Sequence, residues 1–363
     1  MNKDHIKNES SPLREPARLS DDKSESSGGD KRGASICWGI LSTGHISNKF
    51  ARALAILPDA ELVAVASRTQ ESADEFAKEH NVPRAYDNYQ ALADDPDVDV
   101  IYIGTPHTFH LENSVMCMRK GKAVLCEKAF AINAAEAREM VRVAREENVF
   151  LMEAMIPRHV PLMKKVLKWV DDGKIGEVRM IKASRCARGI FKPGARQLNP
   201  ELGGGALLDV GVYVISFASM VMRKQPVEVV GLSHIGSWGS DEQGVVILKF
   251  DKGEIADLSF ALQTEAVNDA YIYGTEGFIH IDEVFAVPTK ATLYKNKKEI
   301  AEVIEEPITG NALNYEAEEV MRCLRDGLTE SPLMPLDESI QIMEIMDKVR
   351  EPWGLRYEND GEG

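Results

Sequence analysis

Between Ile36 and Met152, short apolar runs alternate with helix-length stretches, and this rhythm constrains the fold more than any other feature of the chain. The runs are Ile36–Leu41, Glu61–Ala66, Val98–Ile103, a stretch opening at Ala123, and Val149–Met152. Helical patterns lie between them at Asn48–Leu57, Glu71–His80, Leu111–Lys120 and Asn133–Glu147. Asn133, with Glu136 three residues on, has the form of a capping box. Strands alternating with helices predict βαβ units, right-handed crossovers and a parallel sheet buried on both faces. Ligands of such sheets bind at the carboxyl ends of the strands. The residues that follow each run are therefore the first candidates for a site.

The first run flows into Ser42-Thr43-Gly44-His45-Ile46-Ser47. A dinucleotide site carries three glycines at this spacing, and here only the middle one remains. A glycine in that place lets backbone approach a pyrophosphate at a helix N-terminus, where free N–H groups and the dipole favour an anion. The second run ends in Ser67-Arg68. No acidic residue stands there to accept from a ribose 2′-OH, whereas a guanidinium can pair with a 2′-phosphate. The pair favours NADP over NAD; a solvated surface arginine is the plain alternative. After the third run come Gly104-Thr105-Pro106-His107-Thr108-Phe109-His110. Thr105, Pro106, His107 and His110 are expected to contact cofactor or substrate. With no Asp, Glu or Cys nearby at ligand spacing, the two histidines do not read as a metal site. The fourth run ends in Glu127-Lys128. A lysine at that edge sits beside a ligand, unless it is an ordinary solvated lysine after a strand.

Beyond Pro157 the rhythm breaks. A helix at Leu162–Asp171 and a strand at Glu177–Ser184 lead to a loop over Ala187–Leu202. A helix follows at Gly203–Met222, opened by three glycines. Strands then succeed one another at Val227–His234, Gln243–Phe250, Glu254–Ala261, Ala270–Tyr273, Phe278–Ile281 and Ala291–Tyr294. Tight turns such as Asp251-Lys252-Gly253 imply antiparallel pairing. Two helices, near Asn314–Arg325 and Leu336–Arg350, close the chain. The fold class is thus an α/β Rossmann domain with a parallel sheet, then an α+β domain with one large, mostly antiparallel sheet. Asp209 and Tyr213 share a face of the glycine-led helix, four residues apart. Polar groups on so apolar a helix need partners, either satisfied hydrogen bonders or a ligand. An ammonium beside a tyrosine lowers its pKa, and Lys128 can supply it. Tyr213 as acid/base, Lys128 as its activator and Asp209 as acceptor for a substrate hydroxyl form a set suited to alcohol oxidation.

The 363 residues suffice for two cores, read as 34–156 and 157–357. Residues 1–33, rich in Ser, Asp, Glu, Lys and Arg, read as a disordered tail. The net charge of −15 argues against a nucleic-acid partner. No apolar run approaches the ~20 residues of a membrane span, and no leader-type apolar core opens the chain. Five scattered cysteines without CxxC spacing suit free thiols in a reducing cytoplasm.

Cys126-Glu127-Lys128, the Gly203–Tyr213 block, Asn314-Tyr315-Glu316-Ala317 and Ser331-Pro332-Leu333-Met334-Pro335-Leu336 together resemble one family. It is the glucose–fructose oxidoreductase / inositol dehydrogenase / MocA-like oxidoreductases, and the resemblance runs from about Ser35 to Tyr357. Within it the chain is most similar to the dihydrodiol dehydrogenase and NADP-dependent D-xylose 1-dehydrogenase branch, which carries Tyr where inositol-type members carry His. The resemblance implies Lys128 and Tyr213 as the catalytic pair, and a homodimer or higher homo-oligomer built on an exposed sheet face. Ala129 departs from the family's Glu-Lys-Pro, which implies a looser turn after the lysine and is the one feature favouring a non-catalytic NAD(P)-binding regulator. Where the resemblance implies aromatic residues lining a dihydrodiol pocket, this chain has Ile156 and Arg185, which favours a polar, hydroxylated substrate such as a sugar. Arg158, His159, Arg185 and Arg196 are then pocket candidates, with loop-bracing arginines as the alternative.

Overall fold

The computed structural model describes residues 35–360, Ile190 and Pro193 excepted; the expected N-terminal tail lies outside the described residues. Strands β1 (Ile36–Leu41), β2 (Ala60–Ala66), β3 (Arg84–Tyr86), β4 (Val100–Ile103), β5 (Ala123–Glu127) and β6 (Leu151–Ala154) form one parallel sheet. Their order is β3-β2-β1-β4-β5-β6. The chain runs outward from β1 to β3, then returns to β4 on the other side of β1. That reversal opens a crevice at the carboxyl ends of β1 and β4, where ligands of such sheets bind. Helices α1 (His45–Leu54), α2 (Gln70–His80), α3 (Tyr89–Asp94), α4 (His110–Met118) and α5 (Ala134–Glu147) cover the sheet. Trp38 of β1, Phe50 of α1 and Tyr102 of β4 are fully buried, with Phe50 and Tyr102 stacked at 3.8 Å. Each such ring removes enough apolar surface from water to stabilise the fold by about 2–3 kcal/mol. The capping pattern at α5 is present in modified form: Asn133 Oδ1 accepts from Glu136 N at 2.8 Å, and Glu136 Oε2 accepts from Ile132 N at 3.3 Å.

The second sheet joins β7 (Val178–Cys186), β8 (Glu228–Ile235), β9 (Asp241–Lys249), β10 (Ile255–Ala261), β11 (Ala270–Gly274), β12 (Phe278–Ile281), β13 (Lys290–Lys295) and β14 (Glu299–Glu305). Its order is β14-β13-β12-β11-β7-β10-β9-β8, antiparallel except for the β7–β10 pair. Helices α7 (Val212–Met222) and α9 (Leu336–Arg350) pack on one face. The other face exposes Met180, Val230, Leu232, Val245 and Ile247 beside half-buried Tyr271, Tyr273 and Phe278. Helix α6 (Pro161–Asp171) meets β13 and β14.

The structure departs from the expected division at residue 157. Helix α8 (Leu313–Arg325) packs on α1, and α9 lies against α5 as well as α7 and β8. Helix α8 therefore packs on the first domain, while α9 ties the two together. Three short or polar elements also went unforeseen: β3, α3 and the edge strand β14, whose Glu299, Glu302 and Glu305 conceal its apolar positions. Charged edge strands of this kind discourage pairing with foreign strands.

Candidate active site

The turn after β1 has the shape of an anion cradle. Helix α1 begins at His45 with no side-chain cap, so its first N–H groups remain free of one. A Cβ added at Gly44 would meet nothing within 4 Å, so protein packing does not demand glycine there. Open space above uncapped N–H groups fits a pyrophosphate. Ser42 stands where the first motif glycine would be, with φ at +100°. That conformation costs a residue other than glycine of order 1–3 kcal/mol. Its hydroxyl, 2.8 Å from both Ser47 Oγ and the Gly104 carbonyl, holds it in place. Thr43 Oγ1 lies 3.2 Å from Ser67 Oγ, linking the turn to the end of β2. Ser67 is buried while Arg68, His45 and Gly44 are exposed and Ile46 half-buried at the same edge.

Lys128 follows β5 and reaches across to the second domain. Its Nζ donates to the Asp209 carbonyl at 2.8 Å and lies 3.3 Å from Asp209 Oδ1. It also sits 5.1 Å from the centre of the Tyr213 ring. Arg196 Nη2 reaches the same Asp209 oxygen at 3.2 Å. Arg185, near the end of β7, lies 5.9 Å over the Tyr213 ring. The half-buried Tyr213 hydroxyl is paired with no described residue, which leaves it available to a substrate. Local backbone explains how Asp209 and Tyr213 meet Lys128. The segment expected as one helix begins instead with a π-turn at Leu207–Gly211 before α7. Such a turn widens the carbonyl ladder, and π-turns recur at functional sites. Asp241 anchors its start, accepting from Leu207 N at 2.6 Å.

Burial and charge set the protonation states. For Lys128, burial favours the neutral amine, but Asp209, Tyr213 and Glu127 outweigh it and raise the pKa. Burial opposes the Asp209 carboxylate, yet Lys128 and Arg196 hold its pKa well below the usual range. Tyr213 departs from expectation. Lys128 and Arg185 do lower its pKa, but burial together with Glu127 and Glu316 raises it over that of an ordinary tyrosine. The free site therefore holds a neutral phenol beside an ammonium.

Several expected contacts prove to be supports. His107 sets Nδ1 2.8 Å from the Gly203 carbonyl and Nε2 3.2 Å from that of Lys128. His110 sets Nδ1 3.0 Å from the Ala129 carbonyl and Nε2 3.0 Å from that of Thr105, and the neutral ring donates to one of them. Burial lowers their pKa values to about 3 and about 4. Both rings thus brace the strand-end loops and do not face a ligand. Thr105 is buried, with Oγ1 accepting from Asn113, and Pro106 is half-buried. Glu127 is buried and accepts from the Tyr102 hydroxyl at 2.5 Å, so it lies under the lysine. Ala129 is fully buried, and the His110 contact fixes the turn that lacks proline. Of the four pocket candidates, the structure brings Arg185 to the Tyr213 ring and Arg196 to Asp209. Arg158 is buried in a two-pronged ion pair with Glu338, at 2.6 and 2.9 Å, and donates to Ser216. His159 is buried, with neither ring nitrogen paired among the described residues, and burial lowers its pKa to about 3.

Sequence reasoning missed the carboxyls beneath the site. Glu153 is fully buried, accepts from Phe130 N at 3.2 Å, and is pushed up to about 7 by burial. Neither oxygen of the buried Glu316 has a partner among the described residues; burial, then Glu127 and Glu153, raise its pKa well above the carboxylate range. Tyr102 and Glu153 carried a signal, being polar residues inside otherwise apolar strands.

Residues 36–155 match the family model described as "Oxidoreductase family, NAD-binding Rossmann fold", and residues 163–280 match the GFO/IDH/MocA C-terminal domain. Trans-1,2-dihydrobenzene-1,2-diol dehydrogenase of Xenopus laevis is 41% identical over 327 residues, spanning 88% of this chain and 98% of its own. The protein of that name from Homo sapiens is 37% identical over 335 residues, spanning 89% and 98%. Among solved structures, KijD10, a 3-ketoreductase from Actinomadura kijaniata in complex with NADP and TDP-benzene, matches with a TM-score of 0.78 at 26% identity, over 87% of this chain and 97% of its own. An aldose-aldose oxidoreductase from Caulobacter crescentus, complexed with glycerol, shares the fold with a TM-score of 0.78 at 23% identity, over 86% and 96%.

Proposed function

This chain belongs to the Gfo/Idh/MocA oxidoreductase family and is an oxidoreductase with an NAD(P)-binding domain; we propose that it moves hydride between NADP and a CH–OH group of a sugar or cyclic diol. One observation carries the reading: Tyr213, whose hydroxyl has no partner among the described residues, lies with its ring beside an ammonium that Asp209 keeps charged. Dehydrogenase-named relatives and a 3-ketoreductase crystallised with NADP support the same chemistry.

When bound, NADP supplies the hydride acceptor or donor. The chain's own residues do the rest. The Ser42–Ile46 turn and the start of α1 would receive the pyrophosphate, and Ser67 and Arg68 would hold the 2′-phosphate. Tyr213 passes a proton to or from the substrate oxygen. Lys128 stabilises negative charge on the tyrosine and substrate oxygens, a role that burial strengthens. Asp209 fixes the lysine and accepts from a neighbouring substrate hydroxyl.

The open face of the second sheet suits a homodimer or a higher homo-oligomer, because its apolar residues run across β8, β9, β7 and β11. The five free cysteines suit a reducing cytoplasm. A panel of aldoses, D-xylose among them, and cyclic diols is the test, with NADP and NAD as competing acceptors. We expect turnover with NADP. Arg68→Ala should weaken NADP at least tenfold and NAD little; equal losses would remove Arg68 from the phosphate site.

A further inference from the structure

Of the cations around Tyr213, Arg185 is the one with no carboxylate partner among the described residues. Lys128, Arg196 and Arg185 all lie near the Tyr213 ring or Asp209. Asp209 is shared between Lys128 and Arg196. Glu127 lies buried under Lys128 and accepts from Tyr102. Among the described residues the one polar contact of Arg185 is a weak one, Nη1 to the neighbouring Cys186 carbonyl at 3.4 Å. Its Nε is buried without a partner among the described residues. Leaving a buried guanidinium nitrogen unmade is costly, so such groups are normally satisfied.

We propose that the missing partner is a carboxylate on the substrate, so that the preferred substrate is a polyhydroxy acid such as a uronate or aldonate. This rests on the reaction assigned above and specifies its substrate class. A planar guanidinium fork matches a carboxylate with two parallel hydrogen bonds. Arg185 is placed to hold the acid end of a small molecule while Tyr213 addresses its carbinol. A neutral diol or aldose leaves the guanidinium unpaired, and sites with unpaired buried polar groups discriminate strongly against such ligands. Arg185 is then a specificity-determining residue.

The test uses the full chain with NADP and matched sugars: D-galactose, D-galacturonate and D-galactose 6-phosphate. Initial rates give kcat/KM for each, and quenching of bound NADPH fluorescence gives affinity for the same sugars. We expect galacturonate to exceed galactose at least tenfold in kcat/KM. Arg185→Leu should collapse that ratio to near one, and Arg185→Lys should restore part of it. NADPH affinity should be alike in all three proteins. Equal use of galactose and galacturonate by the wild type would overturn the proposal while leaving the oxidoreductase reading intact. Preference for the phosphate, or an Arg185→Leu loss shared by NADPH binding, would also overturn it. If no sugar is oxidised but galacturonate binds the NADPH complex in an Arg185-dependent way, the anion site stands and the assigned reaction falls.

Discussion

Tyr213 meets opposing influences. Burial raises its pKa, Lys128 lowers it, and Glu127 and Glu316 raise it again, leaving it raised over that of an ordinary tyrosine. The sequence pointed to the lysine as the group acting on the tyrosine and gave no sign that buried carboxyls would oppose it. The carboxyls that reverse its effect, Glu127 of β5 and Glu316 of α8, stand 189 residues apart in the chain, and only the tertiary fold buries both near the tyrosine. The consequence is a pH asymmetry. Reduction of a carbonyl needs the phenol, which is present throughout the neutral range, so its kcat/KM should stay flat between about pH 6.5 and 9. Oxidation needs the phenolate, whose fraction rises tenfold per pH unit below the pKa, so that direction should climb steadily over the same range. Rate profiles in both directions check this; an oxidation profile that levels off near pH 7 would show that Tyr213 is not the titrating base. Arg158 and Arg185 illustrate why some site residues were not legible. Both read as arginines of the second domain, and only tertiary packing separates the one locked to Glu338 from the one left over Tyr213.

At the scale of elements, two glycines do opposite work. Gly44 opens α1 toward empty space, whereas Gly205 has φ at +141°, and a Cβ there would meet Asp241 Oδ1 at 2.2 Å. Gly205→Ala should therefore disturb the Asp241 anchor of the π-turn, lowering stability by about 2–4 kcal/mol. Gly44→Ala should cost little stability, about 1 kcal/mol or less, and should weaken NADPH binding tenfold or more. Thermal melts alongside fluorescence titration separate the two; an unchanged NADPH affinity for Gly44→Ala would contradict the cradle. The βαβ rhythm, the strand-end turns and most of the antiparallel strands were legible, because apolar periodicity reports burial directly. The π-turn was not: Leu207–Gly211 has the same apolar pattern as the helix it precedes, and the difference lies in which carbonyl each N–H selects.

Across the whole molecule, the chain's last fifty residues stitch its halves together. Tyr357 donates to the Gly204 carbonyl at 3.2 Å, and Asn359 donates to Glu136 at 2.7 Å. One short segment thus touches both the glycine block before Asp209 and the helix after Lys128. The open sheet face is left uncovered by this stitching. Leu232, 72% exposed, pairs across the strands with Val245. Contiguous apolar surface on a sheet face marks an interaction site. Leu232→Asp should convert the proposed dimer to monomer in light scattering with little change in NADPH affinity; a wild-type protein that is already monomeric would remove this interface. The account as a whole turns on Tyr213. Its most direct test is NADPH-dependent turnover by Tyr213→Phe on a substrate the wild type uses, with cofactor affinity measured in parallel. The account predicts a fall in kcat of about 10²–10⁴-fold with NADPH bound as tightly as before, whereas undiminished turnover would contradict it.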